Sequence, residues 1–333
     1  MNINELQQKL FQEIKTKLPT DASLADETAR LLDISTDSVY RRMKGEKPIS
    51  FDELFTLCTH YNISLDQIMN IRSEAFQFSG KMVSTANFSF NEYLKSIIQY
   101  FVFITSYKNN SYYYLCKDLP IFYHFQSREI AAFKYYFWMK TLMRFPEFTS
   151  RQFSFDIYPD DTWEIAQKTL TLYNTLNTHE LWNVESLTVH LRQIEFYRES
   201  HMFKSDKDVL TIYEAFEKMI DQVEKQAALG YRFDHNDPEM KRKGDFNMYY
   251  NEVVLGDNSQ LAIFGDYKMV VINHSIFNFM TTRDTRFCEY VAGNVKSLME
   301  RSTLISGVSE RERGRFFRIL REKIARRKRL LKV

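Results

Sequence analysis

Apolar positions recur every three or four residues through most of this chain, the spacing of helices with one buried side. Residues 1–17 read as an amphipathic helix without a signal-peptide core. In residues 23–45, Ala29, Leu32, Ile34 and Val39 are spaced for two short helices joined by a tight turn at Asp33-Ile34. Ala29 is small enough to let those helices cross closely. Ser35 is placed to cap the second helix, Val39 and Met43 turn one face inward, and Gly45 is a left-handed stop. Ser50 and Glu53 have capping-box spacing and open a helix over 51–61, with a stripe of Leu54, Phe55, Leu57 and Cys58. Asn62 ends it, and residues 64–69 start a fifth helix.

Periodicity lapses over 70–88, which reads as a linker. A helix resumes over 90–103, with Tyr93, Ile97, Ile98 and Phe101 on its face. Residues 111–115 suit a short strand, and Asp118-Leu119-Pro120 breaks the chain. An aromatic helix over 128–143 carries Phe133, Tyr136, Phe137 and Trp138, a core stripe that would otherwise line an apolar effector pocket. Helices over 161–174, 184–197 and 206–229 follow, the last ending at Gly230. The pattern then changes to short β-branched and aromatic runs over 247–255, 259–264 and 268–272. Gly256-Asp257-Asn258 and Gly265-Asp266 fall between them as hairpin turns, predicting a three-stranded antiparallel meander. Two helices, over 285–301 and 309–331, complete the chain, the second opened by a capping box at Ser309 and Glu312.

Composition narrows the class. With 333 residues, 9 glycines and 6 prolines, the chain is long enough for two or three domains and favours helices over all-β folds. The apolar run 97–105 is too short to span a membrane. The three cysteines, Cys58, Cys116 and Cys288, are odd in number and far apart, the usage of reduced thiols in a cytoplasmic protein. Charge is unevenly placed. Residues 1–70 hold eight Lys or Arg against eleven acids, whereas residues 311–332 hold eleven Lys or Arg against two acids. The C-terminal block also has an apolar stripe of Phe316, Phe317, Leu320 and Ile324, so a helix packed on its own domain is expected, with phosphate contact, a membrane-surface helix or partner docking as alternatives.

Within 23–45 the second helix presents Thr36, Asp37, Ser38, Tyr40, Arg41 and Lys44 outward, the way a protein sets a helix into the major groove. Residues 24–69 resemble the Cro/repressor-type (XRE) helix-turn-helix domain, a five-helix DNA-binding module. The resemblance rests on Ala29 at the crossing, Ile34-Ser35 at the turn, Val39 in the core, Gly45-Glu46-Lys47-Pro48 and Asn62-Ile63-Ser64-Leu65-Asp66. It covers about the first 70 residues. Two positions depart: Asp33 stands where the family often has glycine, and Arg42 where it has an apolar residue, often tryptophan. By reach, Thr36, Ser38 and Arg41 face base edges, with Arg41 suited to bidentate pairing with guanine. Asp37 has two roles open, accepting from a cytosine amino group or favouring the helix N-terminus. Ser35, which caps the helix, is counted with them in the DNA-binding set, while Tyr40, Arg42, Lys44 and Lys47 are assigned to phosphates.

No catalytic constellation accompanies this head. The histidines lack metal-ligand spacing, and no phosphate loop or nucleophile elbow occurs, so neither a cofactor nor a metal is expected and the chain is read as a non-enzyme. The expected architecture is mainly α. It comprises a five-helix helix-turn-helix domain (1–70), a linker (71–89), an aromatic-rich helical domain (90–240) and a small α+β module ending in a basic helix (241–333). The expected function is a cytoplasmic, sequence-specific transcriptional regulator. Its partners would be double-stranded DNA, a second copy in a homodimer, and a small-molecule or peptide effector, with no membrane. The competing reading is an antitoxin-like or scaffold protein whose body binds a protein or peptide.

Overall fold

The computed structural model describes residues 3–18, 22–65, 68, 76–80, 83–252 and 258–331. The chain divides into two compact units, residues 1–77 and 78–333.

The first unit contains α1 (Ile3–Lys15), α2 (Leu24–Leu32), α3 (Thr36–Met43) and α4 (Phe51–His60). Leu10, Phe11, Ile14, Val39, Leu57 and Tyr61 form its core. The fifth helix expected over 64–69 falls largely on residues outside those described. Phe55 was expected in the apolar stripe of α4 but is 70% exposed. The buried side of α4 follows Leu54, Leu57, Cys58 and Tyr61 at intervals of three and four, which turns Phe55 and Phe51 toward solvent together.

The second unit is a mixed α/β structure around one sheet, not a helical region followed by a separate α+β module. Its strands are β1 (Ser79–Gly80), β2 (Asn110–Cys116), β3 (Thr178–Trp182), β4 (Phe246–Tyr250), β5 (Gln260–Phe264), β6 (Tyr267–Asn273), β7 (Phe279–Thr282) and β8 (Thr303–Leu304), in the order β1-β7-β6-β5-β2-β3-β4-β8. The expected boundary near 240 is crossed by the sheet itself, because β4 pairs in parallel with β3 and β3 in parallel with β2. Parallel neighbours need long crossovers. These are supplied by α6 (Arg128–Phe137) and α7 (Asp160–Tyr173) between β2 and β3, and by α8 (Thr188–Glu199) and α9 (Asp206–Leu229) between β3 and β4. The preceding helix is α5 (Phe90–Thr105).

Three further expectations change. The antiparallel meander exists but consists of β5, β6 and β7, with Gly265 at φ +56 in the first hairpin; the 247–255 run contributes β4 instead, and residues 253–257 lie outside those described. Within the expected linker, Ser79 and Gly80 pair with Thr281 and Met280 of β7. The helix expected from 184 starts at Thr188, because Asn183, Glu185 and Ser186 form a hydrogen-bonded turn after β3. Ser186 also donates to the Cys116 carbonyl at 2.5 Å.

Side chains alternate across the sheet as the pleat requires. Tyr112, Tyr114, Ala262, Phe264 and Met269 face the large core, while Leu261 and Val270 meet Cys288 under α10 (Thr285–Glu300) on the other face. The last helix, α11 (Glu310–Lys328), buries Phe316, Phe317, Leu320 and Ile324 as expected. Ser309 forms no side-chain cap. Instead Arg313 closes that turn through the carbonyls of Ile305 and Val308. Much of the basic block is neutralised internally. Arg321 pairs with Asp221 and Glu224, Lys323 with Glu185 and Lys328 with Glu217. Among the described residues no helix is long and apolar enough to cross a membrane.

An interior strand of the sheet holds one member of a buried charge pair. Glu180, in the middle of β3, is 0% exposed. Its carboxylate accepts from Tyr123 and Trp182, each at 2.7 Å, and from Tyr173 and Arg232. Arg232 also donates to the Tyr123 hydroxyl at 2.8 Å, to Gln226 at 3.1 Å and to Thr178 at 3.2 Å, and its guanidinium lies 3.6 Å from the centre of the Phe246 ring. Burial opposes the charge on Arg232, but the Glu180 carboxylate together with the Tyr123 and Tyr173 hydroxyls outweighs it, so the guanidinium pKa is raised. A pair this deep is tolerable only because its donors and acceptors are so thoroughly matched. Removing one member strands the other. Arg232→Met is expected to cost the second unit about 3–5 kcal/mol, measured by urea unfolding of the full chain. Arg232→Lys is expected to recover only part of that loss, since a point charge cannot reproduce the fork.

Candidate nucleic-acid interface

The candidate surface is built on α3 by signals that act within a few residues. Ser35 caps the helix, accepting from the Ser38 N–H at 3.3 Å while its hydroxyl donates to Ser38 Oγ at 3.0 Å. Asp33, which ends α2, holds φ +52, a left-handed conformation that glycine adopts more easily. α3 stops where Gly45 takes φ +79. There the Glu46 N–H reaches the Arg41 carbonyl at 2.8 Å and the Gly45 N–H reaches that of Arg42 at 3.0 Å. These two bonds satisfy carbonyls left open by the helix end. A side chain at 45 would also press on Asn4, 3.0 Å from the position of a Cβ.

Most of the expected site residues share an open face. Ser35, Thr36, Asp37, Tyr40, Arg41, Lys44 and Lys47 are exposed, Tyr40 to 51%, and Ser38 is half-buried. Among the described residues Arg41, Lys44 and Lys47 make no ion pair, which leaves their charges available to a polyanion.

Arg42 does not join them. It is 4% exposed and turned inward, so its assignment to phosphate is overturned. Its Nε donates to Glu53 at 2.9 Å, a second guanidinium nitrogen to the other Glu53 oxygen, and a third bond reaches the Ser38 carbonyl at 3.0 Å. Glu53 simultaneously serves the capping box that opens α4, accepting from the Ser50 N–H at 3.0 Å while Ser50 Oγ accepts from the Glu53 N–H at 3.2 Å. One carboxylate therefore caps α4 and clamps α3. The Arg42 hydrogen bond outweighs partial burial and holds the Glu53 carboxyl below its ordinary range.

Gln7 supplies a second clamp that sequence reasoning missed. From α1 its amide donates to the carbonyls of Arg42 at 2.5 Å and Lys47 at 2.7 Å, and its oxygen accepts from the Ile49 N–H at 3.1 Å. A polar residue at 7% exposure gives no local sign of this role. For Arg42 a sign existed: it occupies a position where the resembled family is apolar.

Arg42→Ala is expected to destabilise the first unit by about 1.5–3 kcal/mol, because it leaves the partly buried Glu53 without its partner. Hydrogen exchange of the α3 and α4 amides reads this directly. Since the folded pKa of Glu53 lies below its unfolded value of about 4.3, the advantage of wild type over Arg42→Ala is fully present above that pH. It disappears as the pH falls through the folded pKa.

No family model, curated protein or solved structure matches this chain, so its function rests on the geometry of its own residues.

Proposed function

We propose that the chain is a sequence-specific DNA-binding transcriptional regulator, its first unit reading double-stranded DNA as a homodimer and its second unit sensing an effector. The observation that carries this reading is the division of α3 into two faces. Val39 and Arg42 are locked inward, while Thr36, Tyr40, Arg41 and Lys44 stand outward with unpaired positive charge. A helix held this rigidly presents its polar side chains at fixed spacing, which groove recognition requires.

Thr36 and Arg41 take the base-reading positions, Arg41 with a fork that fits guanine O6 and N7. Ser38 contributes less, since its hydroxyl is engaged by Ser35. Tyr40, Lys44 and Lys47 hold phosphates, and Arg42 acts only by fixing the helix. With few free cations on the face, the salt dependence is shallow, and specific contacts supply a large share of the affinity. A single head of this size buries little surface, so two heads on half-sites a helical turn apart are needed for useful specificity.

Selection of genome fragments with the full chain, followed by a salt series on the best site, tests the reading. Arg41→Ala is expected to relax preference at one base position by about 1–3 kcal/mol. Lys44→Ala and Lys47→Ala are expected to weaken all sequences alike and to lower the salt slope by about 1 each. Weak binding that ignores sequence and is unchanged by Arg41→Ala would reject the regulator and favour a protein-interaction role.

A further inference from the structure

Within the second unit, a cavity of about 450 Å³ lies between α5, one face of the sheet and the α6 and α8 helices. Ile97, Phe101, Met269, Val271 and Phe279 make most of it apolar. One side is different. His124, Trp138 and His190 are each at most 3% exposed. Among the described residues, both His124 ring nitrogens, the Trp138 indole N–H and His190 Nδ1 have no hydrogen-bond partner. The two imidazoles are 4.8 Å apart and His124 is 5.6 Å from the Trp138 ring, measured between centroids. Lys134, 2% exposed, joins this wall, with its Nζ 2.6 Å from Gln193 Oε1 and 5.3 Å from the Trp138 ring.

Buried polar groups are almost always paired, so several orphans on one cavity wall call for a partner from outside the chain. An ammonium and an indole N–H can only donate, so the group set against them is an acceptor; Tyr100 OH and Asp118 Oδ1, also unpartnered among the described residues, line the same cavity. The charged lining residues are Lys134, Arg283 and Asp118, two cations and one carboxylate. Asp118 is held through Asn258, which accepts from its backbone N–H at 2.9 Å and donates to its Oδ2 at 3.3 Å. With Lys134 in its ammonium form, which a bound anion favours, a single negative charge on the guest balances the lining, whereas a phosphate dianion would overfill it.

We infer that this cavity binds a monocarboxylic acid with an apolar body, its carboxylate set against Lys134, His124, His190 and Trp138 and its body against Phe101, Met269 and Val271. The inference deepens the sensing half of the function proposed above and rests on it only for any effect on DNA.

The binding step has a proton signature. Burial lowers Lys134 to about 7. Burial and the Lys134 charge hold both His124 and His190 well below the ordinary imidazole range. Asp118 faces the same group and raises it. At about pH 8 Lys134 is mostly neutral, and a carboxylate beside it favours the ammonium form, so binding takes up protons and weakens as pH rises.

Calorimetric titration of the full chain, without DNA, uses decanoate and 2-naphthylacetate, each against its matched alcohol. Either acid is expected to bind saturably and about tenfold or more tighter than its alcohol, with proton uptake at about pH 8. Lys134→Met is expected to bring the acid down to the alcohol and abolish the uptake, while Val271→Phe, which fills the cavity, weakens both. No saturable binding of either acid, no proton uptake by wild type, or acid binding unchanged in folded Lys134→Met would overturn the inference. The wild-type uptake decides the matter should Lys134→Met not fold. Failure here leaves DNA binding standing, and failure of DNA binding leaves the cavity assignment standing.

Discussion

The second unit depends on the ion pair between Glu180 and Arg232. The pair draws on β3 through Thr178 and Trp182, on α7 through Tyr173, on α9 through Gln226 and on β4 through the Phe246 ring. Such a cluster constrains more than it stabilises, because desolvating two charges offsets much of their attraction. Its consequence is register. Sliding β3 by one residue would turn Glu180 to the opposite face of the sheet, away from every donor it now has. The parallel pairings that place α7 and α9 are thus tied to one arrangement of one carboxylate.

The first unit uses the same device on a smaller scale. Arg42 and Glu53 join α3 to α4, and Gln7 joins α1 to the chain that follows α3. The outcome is an exposed α3 face whose geometry is fixed by the fold, which would reduce the ordering cost of the binding proposed for it. Arg42 shows how charge alone misleads: it stands next to Arg41 in sequence and has the opposite fate. On an eight-residue helix adjacent positions lie about 100° apart, enough to send one guanidinium to solvent and the next into the core.

The cavity lies against the sheet face carrying Met269, Val271, Phe279 and Thr281. Phe279 and Thr281 belong to β7, and β7 pairs with β1, the first strand after residue 77. A cavity wall is therefore hydrogen-bonded to the segment with which the second unit begins.

Much of the local structure was legible in the sequence. The caps at Ser35 and Ser50, the stops at Gly45 and Gly230, and the apolar stripe of α11 each depend on neighbours a few residues away, so pattern and side-chain chemistry determine them. The open face of α3 was legible for the same reason. Other features were not. Thr178-His179-Glu180-Leu181-Trp182 has no strand pattern of its own and becomes an interior strand by pairing with β2 and β4, with Glu180 meeting Arg232 and its tyrosines. Arg42 was placed by Glu53, and Ser79-Gly80 became a strand by pairing with β7. The cavity was hidden because its walls come from residues as distant as Tyr93 and Arg283. Periodicity tells which side of an element leaves water. Whether two buried sides close on each other or leave a space, and whether a buried charge finds its partner, depends on contacts such as Arg232 with Tyr123, 109 residues apart, which only the assembled tertiary structure brings together.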